Sequence, residues 1–184
     1  MTHRNVLRPD TACLLVIDMQ EKFAPAIQSF DAVAGSAAKL MTACRALGVP
    51  VIATEQYPRG LGRTIAPIRD LLGGNAPLEK TAFSCTGAEG FAERLQETGA
   101  DTVVVCGIET HVCVNQTVHA LLDQGLCVHV VADAVGSRHA GDHDVALRKM
   151  DLAGAVLATV EMSLFELLGD AGHERFREIQ KLVK

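Results

Sequence analysis

The sequence contains no tryptophan and one tyrosine, and aromatic residues make up 4% of its 184 residues. Proteins that bind single strands of nucleic acid stack bases on aromatic side chains, so this composition argues against such a platform. Positive charge is also in deficit, because 17 Lys and Arg face 22 Asp and Glu and give a formal net charge of -5. We therefore expect neither nucleic acid nor a membrane as a partner, but a small-molecule substrate.

Long apolar runs are absent as well. The longest, residues 14–17 and 102–106, have the length of a strand and fall far short of a membrane span. The opening residues are polar and lack the apolar core of a secretory signal. Six cysteines are present without a C-x-x-C pair, and several lie within apolar runs. These features predict a cytoplasmic protein with free thiols.

The chain alternates short β-branched runs with longer amphipathic stretches, and no repeat or linker divides it, so one domain is expected over residues 1–184. Continuous apolar strands separated by helices indicate a parallel sheet covered on both faces. We predict an α/β fold, a three-layer doubly wound six-stranded parallel sheet of order 3-2-1-4-5-6. Predicted strands are 13–18, 51–55, one ending near Lys80, 102–107, 127–133 and 155–159; predicted helices are 30–47, 86–98, 111–124, 142–152, 162–168 and 173–184.

Chemistry-bearing residues are expected where strands 1 and 4 end, because ligands of such sheets bind at that switch point. Asp18 ends the first strand, where a carboxylate behind apolar residues is costly unless it is paired or functional. Cys113 follows the fourth strand at a predicted helix start, whose dipole would favour the thiolate. Lys80 follows the third strand. A base, a cation and a nucleophile would then share one crevice, although a lone Asp is more often a cap and a lone buried Cys is more often inert.

Four segments resemble the motifs of the isochorismatase-like cysteine hydrolases: LLVIDMQEKF (14–23), TEQYPRGLG (54–62), LEKTAFSC (78–85) and VVVCGIETHVCVNQT (103–117). The similarity extends over nearly the whole chain and is greatest to the isochorismatase domain-containing proteins. It implies a catalytic triad of Asp18, Lys80 and Cys113. It also implies a cis peptide bond between Ile108 and Glu109, with the backbone N–H groups of Glu109 and Cys113 as the oxyanion hole.

The function implied by this resemblance is hydrolysis of a small amide or ureide C–N bond through a thioester, in a homo-oligomer. Nicotinamidases resemble this chain but bind a metal through an Asp-x-His and a further His after the second strand. Residues 55–63 contain no His and one carboxylate, so neither a metal nor another cofactor is expected. Two alternatives stay open on the same fold: a non-catalytic binding or interaction protein, and a thiol redox sensor.

The remaining candidates have weaker patterns. His139 and His143 stand four residues apart and could share a helical face, but no third ligand of suitable type is near in sequence, which disfavours a metal. His111 could form a dyad with a cysteine two residues later, yet contact with solvent or another subunit is favoured. Phe23 and Tyr57 fall beside the predicted crevice, where they line a pocket or simply pack.

Overall fold

A six-stranded, all-parallel sheet forms the centre of the protein. The computed structural model describes residues 3–184. The strands are β1 (Ala12–Ile17), β2 (Val51–Gln56), β3 (Leu78–Lys80), β4 (Thr102–Ile108), β5 (Cys127–Gly136) and β6 (Val156–Ala158). Their order is β3-β2-β1-β4-β5-β6, and every pairing is parallel. The predicted fold and strand order are therefore confirmed.

Helices cover both faces of this sheet. They are α1 (Phe30–Leu47), α2 (Pro58–Leu61), α3 (Ala66–Arg69), α4 (Phe91–Glu97), α5 (Asn115–Asp123), α6 (Ala140–Leu152), α7 (Val160–Leu168) and α8 (Phe176–Gln180). Short 3₁₀ turns span Glu21–Phe23, Asp70–Leu72 and Cys85–Gly87, and a π-helical turn spans Thr110–Val114. Within the described residues, no helix has the length and apolarity needed to cross a bilayer.

The alternation of side chains along β1 divides the core into two clusters. Leu14 and Val16 belong to the cluster beneath α1 and α7, whereas Cys13, Leu15 and Ile17 belong to the cluster beneath α4, α5 and α6. All six residues of β1 are buried. A central strand that is buried on both faces reads as a continuous apolar run, which is why this strand was predictable.

Helix α1 forms because apolar residues recur on one side at helical spacing. Val33, Ala37, Leu40 and Cys44 are all buried on that side. The helix ends at Gly48, whose φ of 72° is readily adopted by glycine and whose N–H donates to the Cys44 carbonyl. The expected boundaries, 30–47, agree with the structure.

Three predicted helices differ from the structure. The helix predicted over 111–124 begins as the π-helical turn Thr110–Val114, and α5 starts only at Asn115. Thr86 and Glu89 do not open a helix: Ser84 Oγ accepts the Thr86 N–H at 3.3 Å and caps a short 3₁₀ turn instead. Gly90 then adopts a left-handed backbone conformation with φ 77°, so α4 begins only at Phe91. The predicted helix over 173–184 is reduced to the five residues of α8.

Candidate active site

The carboxyl ends of β1, β2, β3 and β4 lie at the same edge of the sheet. Asp18 directly follows β1, Gln56 ends β2 and Lys80 ends β3, where it is the register partner of Gln56. Cys113 lies in the π-helical turn after β4. All four residues are buried, with Cys113 only 5% exposed. The sheet topology thus gathers them from distant parts of the sequence.

Asp18 and Lys80 form an ion pair whose side chains are both fully buried. Lys80 Nζ lies 2.7 Å from Asp18 Oδ2, and Thr54 Oγ1 donates to the other carboxylate oxygen at 2.7 Å. The ammonium also donates to the backbone carbonyl of Phe83 at 3.1 Å. Burial alone would lower the pKa of Lys80, but the negative charge of Asp18 opposes it and the pKa is raised above its ordinary value. The lysine is therefore a cation in the folded protein.

The backbone at Asp18 is strained. Its φ of 52° lies in the left-handed region, which costs a non-glycine residue about 1–3 kcal/mol. Backbone hydrogen bonds hold it there: Asp18 N donates to Thr54 O at 3.2 Å, and Gln20 N donates to Asp18 O at 2.7 Å. This conformation places the carboxylate where Lys80 Nζ meets it.

Cys113 is a protonated thiol at rest, in contrast to the expectation from the helix dipole. Burial and the negative charge of Asp18 raise the pKa of Cys113 to about 12, and the positive charge of Lys80 offsets only part of this. The expected thiolate is therefore wrong for the resting protein, because desolvation of the sulfur and a carboxylate neighbour outweigh the favourable charges. The thiol needs a base before it can attack.

The turn that carries Cys113 is attached to Glu109. The peptide bond between Ile108 and Glu109 is cis. The Glu109 carbonyl accepts the N–H groups of Val112 at 3.0 Å and of Val114 at 3.2 Å. The buried Glu109 carboxylate accepts the Arg138 N–H at 3.2 Å and its Nε at 2.9 Å. Both the backbone carbonyl and the side chain of Glu109 are thereby fixed.

Sequence reasoning missed a glutamine beside the three residues of the predicted triad. Gln56 Oε1 accepts a hydrogen bond from Lys80 Nζ at 2.7 Å and lies 3.9 Å from Cys113 Sγ. Its position at the carboxyl end of a strand, within the TEQYP segment, was the signal that could have found it. That signal is weak because Gln also occurs often at the ends of strands for no functional reason.

A second cysteine packs beneath the site. Cys85 Sγ lies 3.6 Å from Thr54 Oγ1, and Cys85 N donates to Thr117 Oγ1 at 2.9 Å. Thr117 Oγ1 donates in turn to the Cys113 carbonyl at 2.6 Å. Burial and the charge of Asp18 raise the pKa of Cys85 to about 11. This thiol is therefore protonated as well.

The two predicted pocket residues lie in different surroundings. Phe23 is half-buried and packs against the apolar cluster beneath α1. Tyr57 is 53% exposed, has a φ of 37°, and lines a cavity of about 430 Å³ together with Lys80 and Arg59. Tyr57 is thus placed beside the site, whereas Phe23 contributes to the core.

Two of the three candidate histidines form contacts at the turn that carries Cys113. His111 Nδ1 is 3.0 Å from Ser137 Oγ, and His143 Nδ1 is 3.0 Å from Thr110 Oγ1. His139 is exposed. Within residues 3–184, no three His, Cys, Asp or Glu side chains are grouped so that they could hold a metal ion.

A model of the Isochorismatase domain matches residues 12–162 of this sequence. The chain belongs to the isochorismatase family. The resemblance inferred from the four motifs is confirmed, and the fold is that of this hydrolase family.

Named relatives share the sequence over most of its length. Isochorismatase domain-containing protein 1 from Salmo salar is 42% identical over 178 residues, covering 97% of this chain and 62% of that protein. This chain thus spans less than two thirds of that relative. Isochorismatase domain-containing protein 2 from Homo sapiens is 44% identical over 177 residues, covering 96% of this chain and 84% of that protein.

A solved structure supports the same assignment. The protein named MAR1 ribonuclease from Caenorhabditis elegans is 41% identical to this chain, with a TM-score of 0.91. The match covers 97% of this chain and 92% of the other. The six-stranded sheet and its flanking helices are therefore shared nearly in full.

Proposed function

We propose that this protein is a metal-independent cysteine hydrolase that cleaves a C–N bond of a small amide or ureide through a thioester. The observation that carries the proposal is the buried Asp18–Lys80 ion pair beside a protonated Cys113 thiol. A carboxylate paired with a cation can accept a proton as a general base, and a neighbouring thiol that gives up its proton can act as the nucleophile.

In the first half of the proposed reaction, the sulfur becomes acylated. Cys113 Sγ attacks the substrate carbonyl carbon while its proton passes to Asp18, so a free thiolate does not need to accumulate. The carbonyl oxygen becomes an oxyanion, which the N–H groups of Glu109 and Cys113 stabilise; losing one such donor typically costs about 10²–10³ in rate. Asp18 then gives the proton to the leaving nitrogen, the C–N bond breaks, and an amine departs.

In the second half, water releases the acyl group. Asp18 takes a proton from the water as its oxygen attacks the thioester carbonyl. The C–S bond breaks, the carboxylic product leaves, and the proton returns to Cys113 Sγ. Lys80 stays charged throughout and balances the carboxylate whenever Asp18 is deprotonated.

Burial and charge favour a small substrate. Cys113 is only 5% exposed, so a bulky polymer has poor access to its sulfur. The net charge of -5 disfavours a polyanion such as RNA. A redox sensor is disfavoured too, because oxidation follows thiolate character, whereas the pKa values of Cys113 and Cys85 are raised. A cytoplasmic location and a homo-oligomer belong to the proposal and are tested by cell fractionation and light scattering.

The test is a panel of small amides and ureides assayed for released amine or ammonia. We expect turnover by the wild-type protein, none by Cys113→Ala, and unchanged turnover by Cys127→Ala, which alters a cysteine at the other end of the sheet. Intact-protein mass spectrometry should show an acyl adduct on Cys113. Cleavage of RNA with no turnover of any amide would contradict the proposal, and so would full activity of Cys113→Ala.

A further inference from the structure

The side-chain oxygen of Gln56 lies between the cation and the nucleophile of the site. It accepts a hydrogen bond from Lys80 Nζ at 2.7 Å, and Cys113 Sγ lies 3.9 Å from the same oxygen, within reach of a weak hydrogen bond. Gln56 is buried, so water does not compete freely for these contacts. One neutral acceptor thus faces both groups.

The orientation of this amide is fixed by its other end. Gln56 Nε2 donates to the backbone carbonyl of Thr81 at 2.8 Å. If the amide were reversed, its NH₂ group would face the ammonium of Lys80 and its oxygen would face the carbonyl of Thr81, two repulsive contacts in a buried place. The oxygen is therefore held toward the triad.

The backbone of Gln56 is fixed as well, by the side chain of Gln20. Gln56 N donates to Gln20 Oε1 at 2.7 Å, and Gln20 Nε2 donates to Gln56 O at 3.0 Å and to Gly62 O at 2.7 Å. Gln20 lies two residues after Asp18. This clamp therefore links the residue that faces the thiol to the segment that carries the base.

We propose that Gln56 is a positioning residue that anchors the Lys80 ammonium and keeps the Cys113 thiol protonated until substrate binds; this role rests on the proposed hydrolase function. A hydrogen bond to the S–H form favours the protonated thiol over the thiolate. The neutrality of Gln56 matters equally, because the buried cluster already balances one carboxylate against one ammonium. A second carboxylate here would oppose the negative charge that develops on sulfur.

Two substitutions at this position have opposite expected effects. Gln56→Met keeps the length of the side chain but removes the acceptor, so the thiolate becomes easier to form. Gln56→Glu keeps the shape but adds negative charge, so the thiolate becomes harder to form. A role confined to packing would not change thiol reactivity in opposite directions.

The experiment measures the rate at which iodoacetamide alkylates Cys113 near neutral pH, quantified on the peptide that contains it by mass spectrometry. We expect Gln56→Met to react about tenfold faster than wild type and Gln56→Glu about tenfold slower, which corresponds to about one pKa unit in each direction. The matched control is Gln96→Glu, which makes the same chemical change on an exposed face of α4 and should leave the rate unchanged.

Equal rates in all variants, or changes of the same sign in both Gln56 variants, would overturn the role of Gln56. If Gln56→Glu does not fold, as judged by circular dichroism, the alkylation rate of Gln56→Met alone is the test: a rate no higher than that of wild type would overturn the role of Gln56. Amide turnover is measured on the same samples. Opposite changes in alkylation without turnover of any amide would refute the hydrolase proposal and leave the positioning of the thiol in place.

Discussion

Gly107 approaches the backbone of Ile17 so closely that no side chain fits between them. A Cβ at position 107 would lie 2.1 Å from the Ile17 carbonyl oxygen and 2.7 Å from its nitrogen. The two residues are register partners on the central strands β1 and β4. They immediately precede Asp18 and the Ile108–Glu109 peptide. The segment that carries Asp18 and the one that carries Glu109 are therefore joined by a contact that only glycine permits.

Gly107→Ala should accordingly destabilise the protein strongly. The methyl group collides with backbone atoms, and the φ of 114° is unfavourable for alanine. We expect a loss of about 3 kcal/mol or more in the free energy of unfolding, measured by urea denaturation. Gly35→Ala is the control, since a Cβ there meets nothing within 4 Å and Gly35 lies within α1. This control should gain about 0.5–1 kcal/mol; equal effects of both substitutions would contradict the prediction.

Lys80→Met should lower the free energy of unfolding by about 3–5 kcal/mol, because it leaves the Asp18 carboxylate buried without a counter-ion. The double variant Asp18→Asn/Lys80→Met should be more stable than Lys80→Met, since it removes the uncompensated charge. Equilibrium unfolding in urea measures both. Arg175→Met serves as the comparison: it breaks an exposed pair with Glu178 and should cost less than about 1 kcal/mol. If Lys80→Met is no more destabilising than this, the buried pair does not stabilise the site.

Arg138→Met should lower kcat for the proposed hydrolysis about tenfold, with little change in KM. The substitution leaves the buried Glu109 carboxylate without the Arg138 Nε donor at 2.9 Å, so the proposed oxyanion N–H of Glu109 loses its fixed position. Steady-state kinetics on an amide that the wild type hydrolyses provide the measurement. Arg138→Lys should recover part of kcat, and Arg69→Met, at an exposed pair with Asp70, should behave as wild type. Unchanged kcat in Arg138→Met would argue against a fixed donor.

Stability should fall as the pH is lowered from about 6.5 to about 4, partly because of His129. This side chain is fully buried in β5, neither ring nitrogen has a hydrogen-bond partner among the described residues, and burial lowers the pKa of His129 to about 4. Between the unfolded pKa of 6.5 and the folded value, the unfolded chain binds the extra proton. The resulting decrease in the free energy of unfolding amounts to about 3 kcal/mol and is complete below the folded pKa of His129.

His129→Leu should remove the part of that pH dependence that His129 contributes, about 3 kcal/mol between pH 6.5 and pH 4, which chemical denaturation at several pH values would measure. The control His139→Gln changes an exposed histidine and should leave the profile unchanged. A His129→Leu profile as steep as that of the wild type would show that other groups cause the acid sensitivity.

Much of the fold was predictable because its physical causes are local. Buried parallel strands are continuous apolar runs, and the segments between them carry helical periodicity, so the sheet order followed from general rules of topology. Those rules also placed Asp18 and Lys80 at one edge. Cys113 was singled out as a candidate nucleophile by its place after a strand, and the motif resemblance then implied that it belongs to a triad with Asp18 and Lys80.

The remaining features depend on contacts that no local pattern encodes. Gln56 lies against Lys80 and Cys113 only because β2 pairs with β3 in a register that sets it opposite Lys80. The capping interpretation at Thr86 was wrong because the left-handed backbone of Gly90 prevents a continuous helix from residue 86, so that α4 begins only after it. The protonation of Cys113 was mispredicted because burial, which a sequence does not display, dominates its pKa.

The three central groups of the site differ in how firmly the protein holds them. Asp18 and Cys113 follow the two middle strands, whereas Lys80 ends β3, a strand of three residues at the border of the sheet. Local opening begins where few strands pair. We therefore expect β3 to fray first under denaturing conditions, which would withdraw Lys80 while Asp18 and Cys113 stay in register, so that the proposed activity would be lost before the sheet unfolds.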